Sequence, residues 1–303
     1  MKEIQRDTKY WLIRPGVGAK CFEDFYRDNC IAIGWNKIGD ISDGTNIISL
    51  DSLKEVVRYR YGQMLSNSSK SVNRKVGDIA SKIYRFTYEV KENDIIITPG
   101  DEEVLIGKVI GEVEIVNGLY NTKPTSKDEE LIGELNKVRK VVWLDRIKRE
   151  KLEPNIKLEL RVVHGISLIS NEQVITEINR TIYSLYEYNN VGHSIYRIKN
   201  EEEIEFEKYA KFIQGIKEIY SLCRDNEEER LYIKSNIQSP GPIELIGTMD
   251  TIVKITAISK YIFKKEEIDP HVLMPYKEKA DQLRSQFDEE DFEDYDFPCG
   301  GII

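Results

Sequence analysis

The residues most suited to chemistry lie between 54 and 85. Lys54, Arg58, Arg60, Lys70, Arg74, Lys75, Lys82 and Arg85 stand there against only Glu55 and Asp78, a local charge of +6. Within that stretch Arg58-Tyr59-Arg60-Tyr61 alternates cations with aromatic rings, and Tyr84-Arg85 repeats the pairing. Clustered Lys and Arg neutralise phosphates with release of counterions, and exposed rings stack on bases. The pattern points to nucleic acid, with Arg58, Tyr59, Arg60, Tyr61, Arg74, Lys75, Lys82 and Arg85 as the contact set. The same residues also fit two amphipathic helices with solvated faces and Tyr59 or Tyr61 turned into the core.

Catalytic chemistry has no comparable signal. No G-x-S-x-G elbow, HExxH or Walker A motif occurs in the 303 residues. Gly16-Val17-Gly18-Ala19-Lys20 is glycine-rich beside a lysine but lacks the P-loop spacing and its Ser or Thr, so it reads as a β-turn. Cys21, Cys30, Cys223 and Cys299 form no CxxC pair, and there are only three histidines, His164, His193 and His271. That inventory argues against a disulfide framework or a metal centre and suits reduced thiols in a cytoplasm. The expectation is a chain with no catalytic residues, metal or cofactor.

The elements that must position the basic stretch can be read from periodicity. Ser52–Met64 reads as a helix with Ser52 as its N-cap, and Val72–Tyr84 as a second, with Ser66–Ser71 as a loop between them. Around them lie β-branched, turn-bounded runs: Lys9–Arg14, Ile31–Trp35, Asp94–Thr98, Val104–Val116 and Val138–Leu144, with a helix over Ala19–Asn29. From about residue 171 the pattern changes. Asn171–Glu187, Glu201–Arg224, Met249–Phe263 and Pro275–Phe287 read as helices, and Leu231–Ile237 with Ile243–Ile246 as a strand pair broken at Ser239-Pro240-Gly241-Pro242.

Charge divides the same way. Residues 1–170 carry 28 Lys and Arg against 26 Asp and Glu, whereas 171–303 carry 16 against 27. Seven of those acids fall between Asp288 and Asp296, so the chain's net charge of −9 is mostly a C-terminal feature and a poor guide to partners. The tail DEEDFEDYDF reads as unable to fold alone; it would be solvated, dock on a partner, or occupy the basic stretch in cis. No apolar run approaches the length of a membrane span, and MKEIQRDTKYWLI lacks the apolar core of a secretory signal.

A resemblance runs through the first half in order. Tyr10-Trp11-x-x-Arg14-x-Gly16 is followed by Ile31-Ala32-Ile33-Gly34-Trp35 with Gly39-Asp40-Ile41-Ser42. Then come Arg85-Phe86 with Glu89-Val90-Lys91-x-x-Asp94-Ile95-Ile96, Gly107-Lys108-Val109-x-Gly111, and Arg139-Lys140-Val141-Val142-Trp143. Over residues 8–170 this resembles the PUA-like (EVE/ASCH/YTH-type) N-terminal domain of Mrr-type restriction and anti-phage defence proteins. Asn93 departs from the pattern, which has glycine before the aspartate. The resemblance implies a PUA-like β-barrel with inserted helices over 1–170; the residue pattern beyond it adds a helical linker and small α/β interaction or oligomerisation domain over 171–287 and the acidic tail 288–303, so that the whole reads as an α+β protein.

It also implies a function. Related PUA-like domains admit a flipped, often modified base into an aromatic-walled pocket, where stacking offsets the cost of unstacking. By that resemblance Trp11, Arg14, Trp35 and Asp40 line a base pocket. Burial of Trp11 and Trp35 as core aromatics on strands is the competing reading. Full-length Mrr-type proteins usually add a PD-(D/E)xK nuclease, but Pro99-Gly100-Asp101 with Glu102 and Glu103 lacks the E-x-K. The expectation is a bacterial defence protein that senses DNA, modified phage DNA included, and recruits an effector protein encoded alongside, with self-association a further option. The alternative is a non-catalytic assembly adaptor that binds no nucleic acid.

Overall fold

In the computed structural model the described residues are 2–41, 48–65, 72–116, 124, 126–162, 164–199, 205–235 and 242–298. The loop expected at Ser66–Ser71, the cation Lys70, the break at Ser239-Pro240-Gly241 and the end Cys299-Gly300-Gly301 lie outside them. The strands, in chain order, are β1 Lys2–Glu3, β2 Tyr10–Ile13, β3 Cys30–Ile33, β4 Ile95–Pro99, β5 Glu103–Val109, β6 Glu114–Ile115, β7 Lys137–Lys148, β8 Ile166–Ile169, β9 Leu185–Tyr188, β10 Val191–Ile198, β11 Tyr232–Lys234, β12 Ile243–Gly247 and β13 Tyr295–Asp296. The helices are α1 Phe22–Asp28, α2 Leu50–Leu65, α3 Val72–Tyr84, α4 Lys127–Ile132, α5 Pro154–Glu159, α6 Glu172–Ile182, α7 Phe206–Cys223, α8 Met249–Phe263, α9 Pro270–Leu273 and α10 Lys277–Arg284. The fold is mixed α+β with a sheet curled into a half-barrel.

The chain divides into two compact units, residues 8–178 and residues 1–7 with 179–303. The division falls inside α6 rather than at 170, and the first seven residues belong to the second unit because β1 pairs in parallel with β9.

In unit 8–178 the strands run in the order β3-β7-β5-β4-β2-β8, with β6 also on β7. The twelve-residue β7 serves three neighbours: its first residues pair with β3 and β6 and the remainder with β5. A register shift at Ile106/Gly107 bends the β5–β7 pair, the usual means by which a sheet coils. Gly107 is needed at that bend because a Cβ there would lie 2.5 Å from the Trp143 ring. The core beneath the sheet is filled by residues such as Trp11, Phe25, Ile31, Val57, Tyr61, Ile79, Ile83 and Phe86.

The two helices of the basic stretch cover this core. α3 has the span read from the sequence, and α2 begins two residues earlier than expected. Ser49, not Ser52, caps it: the Ser49 Oγ accepts from the Ser52 backbone N–H at 3.1 Å. α3 runs on into a π-turn, Arg85–Glu89, whose carbonyls at Phe86 and Thr87 accept from the buried Arg139 guanidinium.

The second unit carries the sheet β1-β9-β10-β12-β11, with β13 on β10. The expected helix Asn171–Glu187 stops at Ile182, and Leu185–Tyr188 is strand. Asn189-Asn190 makes the reversal, both residues at positive φ (53° and 63°), joining Tyr188 to Val191 as a two-residue hairpin. α8 matches its expected span and packs its Thr256 and Ser259 on Ser194 and Tyr196 of β10. A polar cluster is buried elsewhere on β10: His193 Nδ1 lies 2.8 Å from Glu244 Oε1, the Tyr186 ring stacks on His193 at 4.5 Å, and Arg180 approaches Glu244 at 3.6 Å.

The acidic tail is corrected by the structure. Residues 288–298 are part of this core, with Phe292, Tyr295 and Phe297 buried. Tyr295 stacks on Phe212 at 4.6 Å and Phe292 on Phe263 at 4.2 Å, while Tyr295–Asp296 pair with β10. The acids alternate outward, and Lys208 and Lys211 pair with Asp294 and Asp291. Aromatics at 292, 295 and 297 are what a packed terminus requires; the acidity hid it.

Candidate nucleic-acid interface

A cavity of about 610 Å³ opens in unit 8–178. Its position follows from the sheet. Because the sheet does not close, β3 and β8 are its two ends, and Ala32 and Ile33 of β3 and Ile166 of β8 all line the cavity. Lys75, Asp78, Ile79 and Lys82 line it too, four residues on one face of α3. Val76, Ala80 and Ile83 of the same helix are buried in the core. The turn Gly16-Val17-Gly18 lies at its rim, and Leu131, Ile132 and Leu135 complete the wall.

Trp35 and Arg14, expected in one pocket, do line this cavity. Trp35 takes φ 63°, a conformation that L residues rarely adopt. Its backbone N–H donates to the Ile132 carbonyl at 2.6 Å, and its own carbonyl accepts from Ile38 at 3.0 Å. Gly34 before it has no room for a side chain, since a Cβ would collide with Ile132. Trp35 as a residue is 93% buried, and its Nε1 is itself buried, with no hydrogen-bond partner among the described residues. Lys82 Nζ lies 5.8 Å from the ring centroid and 2.6 Å from Asp78. Arg14 donates to the carbonyls of Leu160 and Val162 at 2.8 and 2.7 Å. Burial, with the charge of Arg149, pulls its pKa down from the ordinary value.

The cavity therefore has an apolar wall, three cations and one carboxylate, the last already engaged by Lys82. Lys75 has no acidic partner among the described residues. Such a lining favours an anion that also carries an apolar face.

Two expected pocket residues are elsewhere. Trp11 is fully buried, donating from Nε1 to Asp94 at 2.8 Å; Asp94 also accepts from the backbones of Lys9 and Lys91. Burial raises the Asp94 pKa, those donors opposing it. Trp11 is a core residue because its only polar atom is satisfied there. Asp40 is exposed and outside the cavity.

The basic stretch is partly neutralised. Arg58 pairs with Glu55 at 2.5 Å, Lys54 with Asp51 at 2.8 Å and Arg85 with Glu89 at 3.8 Å. Asp51 and Glu89 lie just outside the stretch counted in the sequence. Arg60 and Arg74 are exposed without carboxylate partners among the described residues, and Tyr59 is 84% exposed with Arg60 5.6 Å from its ring. Tyr61 instead faces the core, its hydroxyl accepting from the Lys37 backbone at 3.1 Å, which removes it from the contact set. Arg58 also donates to Asn73, linking α2 to the start of α3.

One residue that sequence reasoning missed is Lys137. It is buried, and its Nζ donates to the carbonyls of Trp35 (3.3 Å) and Ile38 (2.8 Å). Burial lowers its pKa to about 8, the charge of Asp40 opposing the fall. A lysine inside the run Lys137-Val138-Arg139-Lys140 carries no sign of burial.

A family model described as Domain of unknown function (DUF8426) matches residues 11–164. The chain belongs to this family. The matched span lies within unit 8–178 and contains Arg14, Trp35, Lys137 and both helices of the basic stretch. Gly165 and Ile166 of the cavity follow directly after it. No curated protein matches the chain.

Among the described residues no helix is long and apolar enough to cross a membrane. No three His, Cys, Asp or Glu side chains among them gather as a metal site.

Proposed function

We propose that unit 8–178 is a PUA-like sensor of nucleic acid, tracking phosphates over Arg58, Arg60 and Arg74 and admitting one base to the cavity beside Trp35. The second unit then passes the event to an effector protein in an anti-phage or restriction-type system, as the resemblance over residues 8–170 implies. The observation that carries the reading is the cavity's lining: an apolar wall that includes the aromatic Trp35, bordered by Arg14, Lys75 and Lys82. The exposed Tyr59–Arg60 pair supplies a stacking platform outside.

The test is binding of the full chain to unmodified and cytosine-modified duplexes, and to single strands, across a salt series. Affinity is expected to fall steeply with salt, and R58Q/R60Q/R74Q to reduce the slope by about two to three on duplex DNA. Absence of binding to every strand would overturn the reading. It would favour the assembly-adaptor alternative, which draws support from the ion pairs at Lys54, Arg58, Lys82 and Arg85.

A further inference from the structure

The nucleic-acid reading leaves open what fills the cavity, and the inference drawn here rests on that reading while naming the ligand. Arg74 and Lys75 are neighbours on α3 with opposite fates. Arg74 is exposed, whereas Lys75 lines the cavity, as do Asp78 and Lys82. Lys82 and Asp78 neutralise one another at 2.6 Å, so Lys75 is the cation on that wall without a carboxylate. Trp35 lines the same space and adds an aromatic surface to its apolar wall. At about 610 Å³ the cavity is in the size range that holds a whole small-molecule ligand, well beyond a single planar ring.

We propose that the cavity takes one nucleoside monophosphate, its ring against the apolar wall at Trp35 and its phosphate on Lys75. A base alone leaves Lys75 without a counter-charge. An inorganic anion alone leaves the apolar wall unused. A nucleotide answers both, either as a free mononucleotide or as one unit of a strand, and the chemistry is shared between those sources.

The experiment measures equilibrium binding to the full chain of the four deoxynucleoside 5′-monophosphates, the matching nucleosides and a short single strand. Nucleotides are expected to bind at least about tenfold tighter than nucleosides, consistent with one charge-assisted contact. Lys75→Gln should erase that ratio with nucleoside affinity within about twofold, and Lys75→Arg should restore most of it. Lys148→Gln, at an exposed residue outside both the cavity and the basic stretch, should leave mononucleotide binding unchanged. Equal affinity for nucleotide and nucleoside, or a ratio that survives Lys75→Gln, overturns the proposal. If strands bind but no mononucleotide does, the proposal fails and the nucleic-acid reading stands. If mononucleotides bind and strands do not, the ligand is a free nucleotide and the nucleic-acid reading fails. If neither binds, both fail.

Discussion

Lys137 holds Trp35 in place through the backbone: its ammonium donates to the Trp35 carbonyl at 3.3 Å and to the Ile38 carbonyl at 2.8 Å. The turn between those carbonyls begins with a residue at φ 63°. A single buried cation thus anchors the strained turn from which the cavity's aromatic wall projects.

That anchor has a pH signature. The Lys137 pKa falls from 10.5 to about 8 on folding, so between those values the unfolded chain binds more protons than the folded one. Stability contributed at this site therefore rises with pH through that window, and the cost of burying the charge is fully present below pH 8. The stability of the native chain minus that of Lys137→Met should increase by up to about 3 kcal/mol from pH 8 to pH 10.5. Denaturant titrations at several pH values check this; a flat difference would refute it.

Gly34→Ala should destabilise unit 8–178 by about 2–4 kcal/mol, as overpacking against backbone does. The new methyl group would collide with Ile132, whose carbonyl receives the Trp35 N–H. Gly18→Ala is the contrast: its Cβ meets nothing within 4 Å, and only its φ of 59° opposes the change. Thermal melts of the two variants should differ clearly, with Gly34→Ala the lower.

Phe292→Ala should cost the second unit about 3–5 kcal/mol, the usual range for a buried aromatic. Deleting residues 288–303 should be worse still and should not strengthen nucleic-acid binding, because the segment is core. Denaturation followed by intrinsic fluorescence and by proteolysis would show the loss; a truncated chain as stable as the full one would contradict the packing described.

In the second unit Glu244 is fully buried; burial pushes its pKa up, but the hydrogen bond and charge of His193, with Arg180, hold it below the ordinary carboxylate value. Its stabilisation is present above the unfolded value of 4.5 and is lost as pH falls through the folded one. Glu244→Gln should lower stability at neutral pH by about 3 kcal/mol and flatten the acid limb of the stability curve. An unchanged acid limb would show that other carboxylates govern it.

Much of the scaffold was legible in order along the chain. The segments that carried the resemblance are joined in space by pairs of their own residues: Trp11 with Asp94, Phe86 with Arg139, and Gly107 with Trp143. Local pattern fixed the extents of α3 and α8 because apolar spacing and helix propensity agree there. The resemblance, not local pattern, placed Arg14 and Trp35 among the candidates. What local pattern could not decide was which way a side chain faces when either face is chemically acceptable. Trp11 and Trp35 look alike in sequence, but one satisfies its N–H in the core and the other does not. Arg74 and Lys75 are adjacent cations, yet the 100° step along a helix sends one to solvent and the other to the cavity. Lys137 and the acidic tail are the extreme cases, since a charged residue is buried only where distant carbonyls or distant aromatics receive its segment. Those partners are set by how the strands pair, and strand pairing is a property of the tertiary structure.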